Sequence, residues 1–465
     1  MQQNINQDKV VQNLMASWQA SGLKQKLIFT FAIIALFRLG AQLPIYGVNH
    51  NALTGIIEQT NLISFLDMFS GGALGKVSIF ALGIGPYITS SIIMQLMTVI
   101  IPSLEKAQKE DGEAGRRKIQ QLTRIFAVAL ALFQSLIFAL ALFKLPAAIL
   151  PGVNPVMFFV GSAVSLTAGA IIVMWLGELI TEKGVGNGAS LLIFVGIIAG
   201  IPLYCSRTAD MFRNSTGEAS ILAIGLGVLM AIFVATIFFI VVLHEAARKV
   251  PIVSARRQVG NKVYGGQNTH IPFKLNPGGV MPIIFAIAIL LFPATLLGFV
   301  EQMHLENVPA LQNSFIHIGN FELSVNNILQ WLTRVFSANS TSYYVIYFLL
   351  IFALTFFYAS IIPSMQPKEI ANNLKKYGSA IPGVKPGKPT ADKLDEILGR
   401  IMFIGALSLG VIALVPTVAT KLTGITTFQG IGSTSLIILV GVALDFINQI
   451  KTHMLAKNYE SFLQQ

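Results

Sequence analysis

Residues that could do covalent or metal chemistry occur in this chain, but their spacing fails each time. A nucleotide cradle needs Ser or Thr after Gly-Lys, and here Gly75-Lys76 is followed by Val77 and Gly387-Lys388 by Pro389. His244-Glu245 begins like a zinc-protease helix, yet Arg248 stands where the second His ligand is required, so His244 reads as an interfacial residue capping an apolar run. The glycines of Gly184–Gly188, GVGNG, resemble a phosphate loop without a preceding strand and read as a tight turn. Cys205 is the single cysteine, so it has no partner for an intrachain disulfide or a zinc site and reads as a small apolar filler. No cofactor is expected.

The stretch 61–101, NLISFLDMFSGGALGKVSIFALGIGPYITSSIIMQLMTVII, offers physical work instead of reactive groups. Ile63–Leu74 is apolar but only about a dozen residues long, too short to span a bilayer and suited to a re-entrant or plugging segment. Gly71 and Gly72 permit a backbone reversal, because a residue without Cβ reaches positive φ at little cost. Val77–Ile101 is then long enough to cross, and Gly83, Gly85 and Pro86 weaken that span near its start. Ile84 and Ile88, four apart, share one helical face. Two readings fit this stretch: a pore helix with its stopper, or an ordinary lipid-facing helix after a surface loop.

The elements that position these residues follow from composition. With 465 residues, 54% apolar and 11% charged, the chain reads as a polytopic membrane protein. Residues 1–23 are polar, with Val10, Val11, Leu14, Met15 and Trp18 at roughly helical spacing, which suits a cytoplasmic amphipathic segment in the membrane interface. Ten runs of spanning length follow: Lys24–Pro44, Val77–Ile101, Ile119–Phe143, Pro155–Ile180, Ala189–Cys205, Ala219–Leu243, Gly279–Val300, Tyr343–Ile362, Arg400–Val418 and Ser433–Ile450. No small-residue cleavage site follows the first run, so it reads as a retained span.

A net charge of +11 is weak evidence for a polyanionic partner, because Lys and Arg gather on the cytoplasmic side of any inserted chain. With both termini in the cytoplasm, all but seven of the 32 Lys and Arg fall on that side; the exceptions are Arg38, Lys76, Lys144, Arg207, Arg213, Arg334 and Lys421. Ten spans divide into a first half, residues 24–206, and a second, 219–450. Because five is odd, the second half would be inverted relative to the first. Each half holds a broken span, the second run with Gly83, Gly85 and Pro86 and the seventh with Pro282 and Pro293, which points to a central pathway. The long cytoplasmic loops 245–277 and 364–399 read as ordered, hairpin-like tips, and 451–465 as a cytoplasmic tail. The spans carry their charges near helix ends, so the mid-membrane carboxylate or cation of an ion-coupled carrier is not evident.

These residues resemble the SecY family of protein-conducting channel subunits, over nearly the whole chain. The segments that carry the resemblance are DMFSGGAL (67–74), FALGIGPYITSSIIMQL (80–96), GEAGRRKI (112–119), MWLGELITEKGVGNGAS (174–190), VYGGQNTHIPFKLN (263–276), LFPAT (291–295) and NNLKKYGSAIPGVKPG (372–387).

The resemblance implies an all-α fold of ten transmembrane helices in two inverted halves around an hourglass pore, with a lateral gate between spans 2 and 3 and spans 7 and 8. By motif position it implies a pore constriction of Ile84, Ile88, Ile193, Ile284 and Ile438, with Ala189 where many members carry a bulkier aliphatic. It implies a plug at Phe65, Leu66, Met68, Phe69, Ser70, Gly71 and Gly72. Docking of the SecA motor ATPase or the ribosome would fall to Arg256, Arg257, Lys262, Lys274, Lys375, Lys376 and Lys385, the last standing where members commonly have Arg. Further implied partners are SecE and SecG in a heterotrimer, unfolded preproteins with their signal sequences, and membrane lipid. A ring of branched apolar side chains suits this task, since it offers a threaded chain no fixed hydrogen bonds and makes a water column unfavourable. The implied activity is passage of unfolded polypeptide across a bacterial inner membrane and lateral release of apolar segments, without catalysis. The competing classes are a secondary carrier of small solutes and a structural scaffold.

Overall fold

Each of the ten apolar runs contains a helix in the computed structural model, which describes residues 22–49, 67, 70–109, 112–143, 149–214, 219–254, 257–259, 262–264, 268–302, 315–318, 321–324, 331, 334–335, 340–361, 365–423 and 433–463. In chain order the helices are α1 (Leu23–Gly40), α2 (Gly85–Ile100), α3 (Pro102–Lys109), α4 (Gly112–Phe143), α5 (Pro155–Lys183), α6 (Gly188–Asn214), α7 (Ala219–Glu245), α8 (Met281–Gln302), α9 (Thr341–Ile361), α10 (Pro367–Lys376), α11 (Lys388–Thr423) and α12 (Ser433–Leu463). Among the described residues α4, α5, α6, α7, α9, α11 and α12 are long and apolar enough to cross a membrane. The other three predicted spans are also helical. α1 carries Lys24, Lys26 and Arg38 within its 18 residues. α2 has 16 residues and bends by 104° into α3. α8 runs for 22 residues, Met281–Gln302, and the part of it whose side chains are described throughout, Met281–Leu290, is apolar.

Strands also occur, four of them in the 245–277 loop that reads as a hairpin-like tip. β1 (Ala247–Ser254) pairs antiparallel with β4 (Asn268–Lys274), and between them β2 (Arg257–Val259) pairs with β3 (Lys262–Tyr264). β5 (Phe315–Ile318) pairs with β6 (Phe321–Ser324), and β7 (Ser379–Ala380) joins the outer edge of β1.

The chain gathers into two units. The first comprises Met1–Met211, Ala288–Tyr343 and Val442–Gln465; the second comprises Phe212–Ile287 and Tyr344–Gly441. In the first, α4 presents a small residue at every fourth position, with Thr123, Ala127, Ala131, Ser135 and Ala139 all buried. Across from them α5 buries Ala163, Thr167 and Ala170. Small side chains let helix backbones approach closely, which is the main source of attraction where lipid removes the hydrophobic drive. The Ser135 and Thr167 hydroxyls meet at 2.6 Å, so the polar atoms in this seam are partnered within it. α5 starts where Asn154 Oδ1 accepts from Val156 N at 3.0 Å and Pro155 occupies a position that needs no donor.

The C-terminal part of α12 belongs to the first unit for a physical reason. Phe446, Ile450 and Met454 pack on Leu23, Leu27 and Val185, and Gly186 N donates to Gln449 Oε1 at 2.7 Å. The turn at Gly184–Gly188 is thus a junction as well as a reversal, since Val185 N also donates to Thr30 Oγ1 at 3.1 Å.

In the second unit the loop elements build a core of their own. β1 alternates exposed Lys249, Pro251 and Val253 with buried Val250 and Ile252, the period-two pattern of a half-covered strand. Val250, Ile252 and Phe273 pack with Leu374 of α10, with Ile381, and with Leu394, Leu398 and Ile401 of α11. The described part of the 364–399 loop is therefore mostly helical: it holds α10 and the first turns of α11, with β7 as a two-residue strand between them.

Several local expectations change. The second span was expected as a helix from Val77, but residues 71–84 run as successive turns and α2 begins at Gly85. Pro86 lies in the first turn of α2, where its missing N–H costs nothing, so Gly83, Gly85 and Pro86 start a helix and do not break one. Cys205 is exposed beside exposed Leu203, so it faces outward and fills no core. His244 is buried, with its ring near Gly441.

Candidate functional site

The predicted stopper and the start of the predicted pore helix are continuous in sequence, and their backbone explains how. Gly71, Gly72 and Gly83 take positive φ of 72°, 82° and 55°, and Val77 takes 44°. A β-branched residue adopts that conformation only when its surroundings impose it. Here Val77 is buried, its N donates to Leu74 O at 2.9 Å, and its carbonyl accepts from Ile45 N at 3.1 Å. Ile79 N donates to Leu43 O at 2.9 Å, so residues 43–45 run beside 77–79 as a short clamp.

Upstream, the chain is capped by its own side chains. Ser70 Oγ donates to Asp67 O and accepts from Leu74 N, both at 2.9 Å. Gly75 N donates to Asp67 Oδ1 at 2.5 Å, and Gly72 N to Asp67 O at 2.9 Å. Arg38, half-buried in the last turn of α1, donates from Nη1 to Gly71 O at 2.7 Å. Of the predicted plug, Ser70, Gly71 and Gly72 lie in this arrangement; Phe65, Leu66, Met68 and Phe69 lie outside the described residues.

In the first unit Ile84 caps the N-terminus of α2 and is 5% exposed. Its Cδ1 covers bare helix backbone: a Cβ added at Gly177 would lie 3.2 Å from it. Ile88, one turn on, is half-buried and presents more surface than Ile84. Ile193 of α6 is 2% exposed, and Ala189, one turn before it, is half-buried. In the second unit Ile284 is buried near the start of α8 among Ile283, Phe285, Ala286 and Ile287, and Ile438 of α12 is fully buried. These isoleucines therefore do not lie on the outward apolar surface that Ile28, Phe31, Val234 and Phe238 occupy.

The predicted docking residues divide between the two loops of the second unit. Lys274 ends β4 and is exposed. Lys375 and Lys376 are exposed in the last turn of α10, where cations also offset the helix dipole. Lys385 is exposed on a turn between Gly383 and Gly387, both at positive φ, and its carbonyl accepts from Thr390 Oγ1 at 2.8 Å. Arg257 stands opposite Tyr264 and Lys262 opposite Val259 in the β2–β3 ribbon. Arg256 lies outside the described residues.

Sequence reasoning missed two polar contacts. Arg124, inside the third predicted span, lies on α4 and donates from Nε to Glu178 Oε1 of α5 at 2.8 Å, with the Glu178 side chain only 8% exposed. Arg38 was recognised only as a charge near a span end. In both cases the signal was an in-span charge lacking an assigned partner.

A solved protein-conducting channel superposes on this chain with a TM-score of 0.63 at 17% identity, covering 93% of this chain and 92% of that one. Sec61 in the canine ribosome-channel complex from the endoplasmic reticulum superposes with a TM-score of 0.58 at 15% identity and the same coverage. The fold is that of a multi-span membrane channel. A protein translocase subunit SecY of Synechococcus elongatus is 43% identical over 450 residues, which cover 96% of this chain and 95% of the relative. A sequence model described as SecY matches residues 78–447. The chain belongs to the SecY family.

Proposed function

We propose that this chain forms the conduit through which unfolded secretory polypeptides cross a bacterial cytoplasmic membrane, and from which sufficiently apolar segments leave sideways into lipid. The observation that carries the reading is the burial of Ile84, Ile193, Ile284 and Ile438 inside a chain of this family. Branched apolar side chains turned away from lipid can surround a threaded chain without gripping it, and they disfavour the water that ions need. Lateral release needs no catalytic group, because transfer of an apolar segment into hydrocarbon is itself favourable. The subunit works without catalysis of its own. It works with SecE and SecG, both termini are cytoplasmic, and the plug around 65–72 closes the resting pore.

The exposed cations Lys274, Lys375, Lys376 and Lys385 stand on loops with their own packed core, so they are held in place for docking the SecA motor or the ribosome.

The test is reconstitution of the chain with SecE and SecG in vesicles, followed by SecA and ATP. Protease-protected preprotein inside the vesicles is expected; solute uptake without preprotein passage would favour a carrier. Removing Phe65–Gly72 should raise ion leakage across planar bilayers, and unchanged conductance would remove the sealing role.

A further inference from the structure

Two of the seven cations that depart from the cytoplasmic bias, Arg38 and Lys76, bracket the same short segment. Arg38 Nη1 donates to Gly71 O at 2.7 Å, and Lys76 Nζ donates to Gln42 Oε1 just past the end of α1. Both tie residues 71–76 to the same helix end. A half-buried guanidinium within a span is costly unless it is partnered, and this one is spent on a single backbone carbonyl of the plug.

Shape supports the contact. Gly71 has a positive φ of 72°, and a Cβ there would lie 2.8 Å from Arg38 Nη1 and 3.0 Å from the Cα of Gly196 on α6. Only glycine lets this backbone lie between the guanidinium and the helix. The caps from Asp67 and Ser70 tie the described residues of this stretch into a local knot, whose capped amides open to water once the outer tie from Arg38 no longer holds it in place. By contrast the following residues, Val77, Ser78, Phe80 and Ala81, are all buried and clamped by residues 43–45.

We infer that Arg38 is the latch of the plug: a positioning residue whose bond to Gly71 O holds the 67–75 knot against Gly196 in the resting state and must break before the plug leaves. This rests on the proposed sealing role of the plug, and two separate readouts keep the ideas apart. The first is amide hydrogen exchange of the full complex at Gly72, Leu74 and Gly75. Arg38→Gln should speed it about tenfold or more, the scale of one lost charge-assisted hydrogen bond, and Arg38→Lys, which keeps one donor, should speed it less. The second is resting conductance in planar bilayers. Arg38→Gln should raise it in the intact chain and add nothing in a chain lacking residues 65–72, because the bond's acceptor is already gone.

Unchanged exchange at the three amides would overturn the latch, whatever the conductance does. An equal rise in conductance in the deleted chain would overturn it too, since the substitution would then act on the wall and not on the plug. If the deletion leaves conductance flat while Arg38→Gln still loosens the amides, the sealing role falls and the latch stands. Should Arg38→Gln also raise exchange along α4 and α5, the comparison passes to Gly71→Ala, whose Cβ displaces the guanidinium; that variant must loosen the same amides, and protection equal to the parent would sink the proposal.

Discussion

The α4–α5 pair and the 67–76 segment lie in the same unit and are held by different proportions of packing and hydrogen bonding. α4 and α5 meet along a continuous seam of small residues, with the Ser135–Thr167 contact inside it and the Arg124–Glu178 pair at one end. The 67–76 segment has four exposed or half-buried members among its described residues, Asp67, Gly72, Gly75 and Lys76; Leu74 anchors it in the core cluster with Leu142, Phe158 and Leu166, and individual hydrogen bonds to Asp67, Ser70 and Arg38 add to that hold. A seam of many weak contacts yields only when the whole helix is displaced, whereas a few polar ties can be exchanged for water or for a passing chain one at a time. A channel of this family needs both kinds of construction side by side: a wall that keeps its shape and a stopper that leaves it.

The largest effect should come from forcing the wall. Gly169 of α5 lies so close to the carbonyl of Ile79 that an added Cβ would overlap it. Gly169→Val should cost about 4 kcal/mol or more and sharply lower the thermal stability of the purified complex. A variant with unchanged Tm would mean that α5 and residues 77–80 separate easily, and the contrast would lose its rigid side.

A smaller effect is expected at Glu178. Its carboxylate is buried but Arg124 remains 41% exposed and can rehydrate, so Glu178→Ala should cost about 1–2 kcal/mol, well short of a fully buried pair. The double variant with Arg124→Ala should recover part of that loss in the same melting experiment; strict additivity would show that the two side chains are not coupled.

Much of this arrangement was legible in the chain itself, because runs of apolar residues about 20 long report spans regardless of how the helices pack. What stayed hidden depended on partners far apart in sequence. Gly83, Gly85 and Pro86 look like helix breakers until the 43–45 clamp shows that the preceding residues were never helical. Arg124 and Glu178 are 54 residues apart, and nothing in local spacing joins them. Ile84 shares a helical face with Ile88 by spacing, yet its contact with Gly177 follows from the close approach of α5.

The smallest stability change with a large functional one is expected in the segment. Asp67→Ala removes the caps that its side chain supplies to Gly75, so it should shift the melting temperature by no more than a degree or two while raising resting conductance. A large fall in Tm with no change in conductance would place Asp67 in the wall and erase the distinction between the two regions.

The most direct measurement is photocrosslinking of a secretory chain stalled partway across, with the reactive group placed in turn at Ile88, at Ile284 and at outward-facing Phe238. Adducts at Ile88 and Ile284 and none at Phe238 are predicted. Adducts at Phe238 alone, or at neither isoleucine, would contradict an isoleucine-lined path.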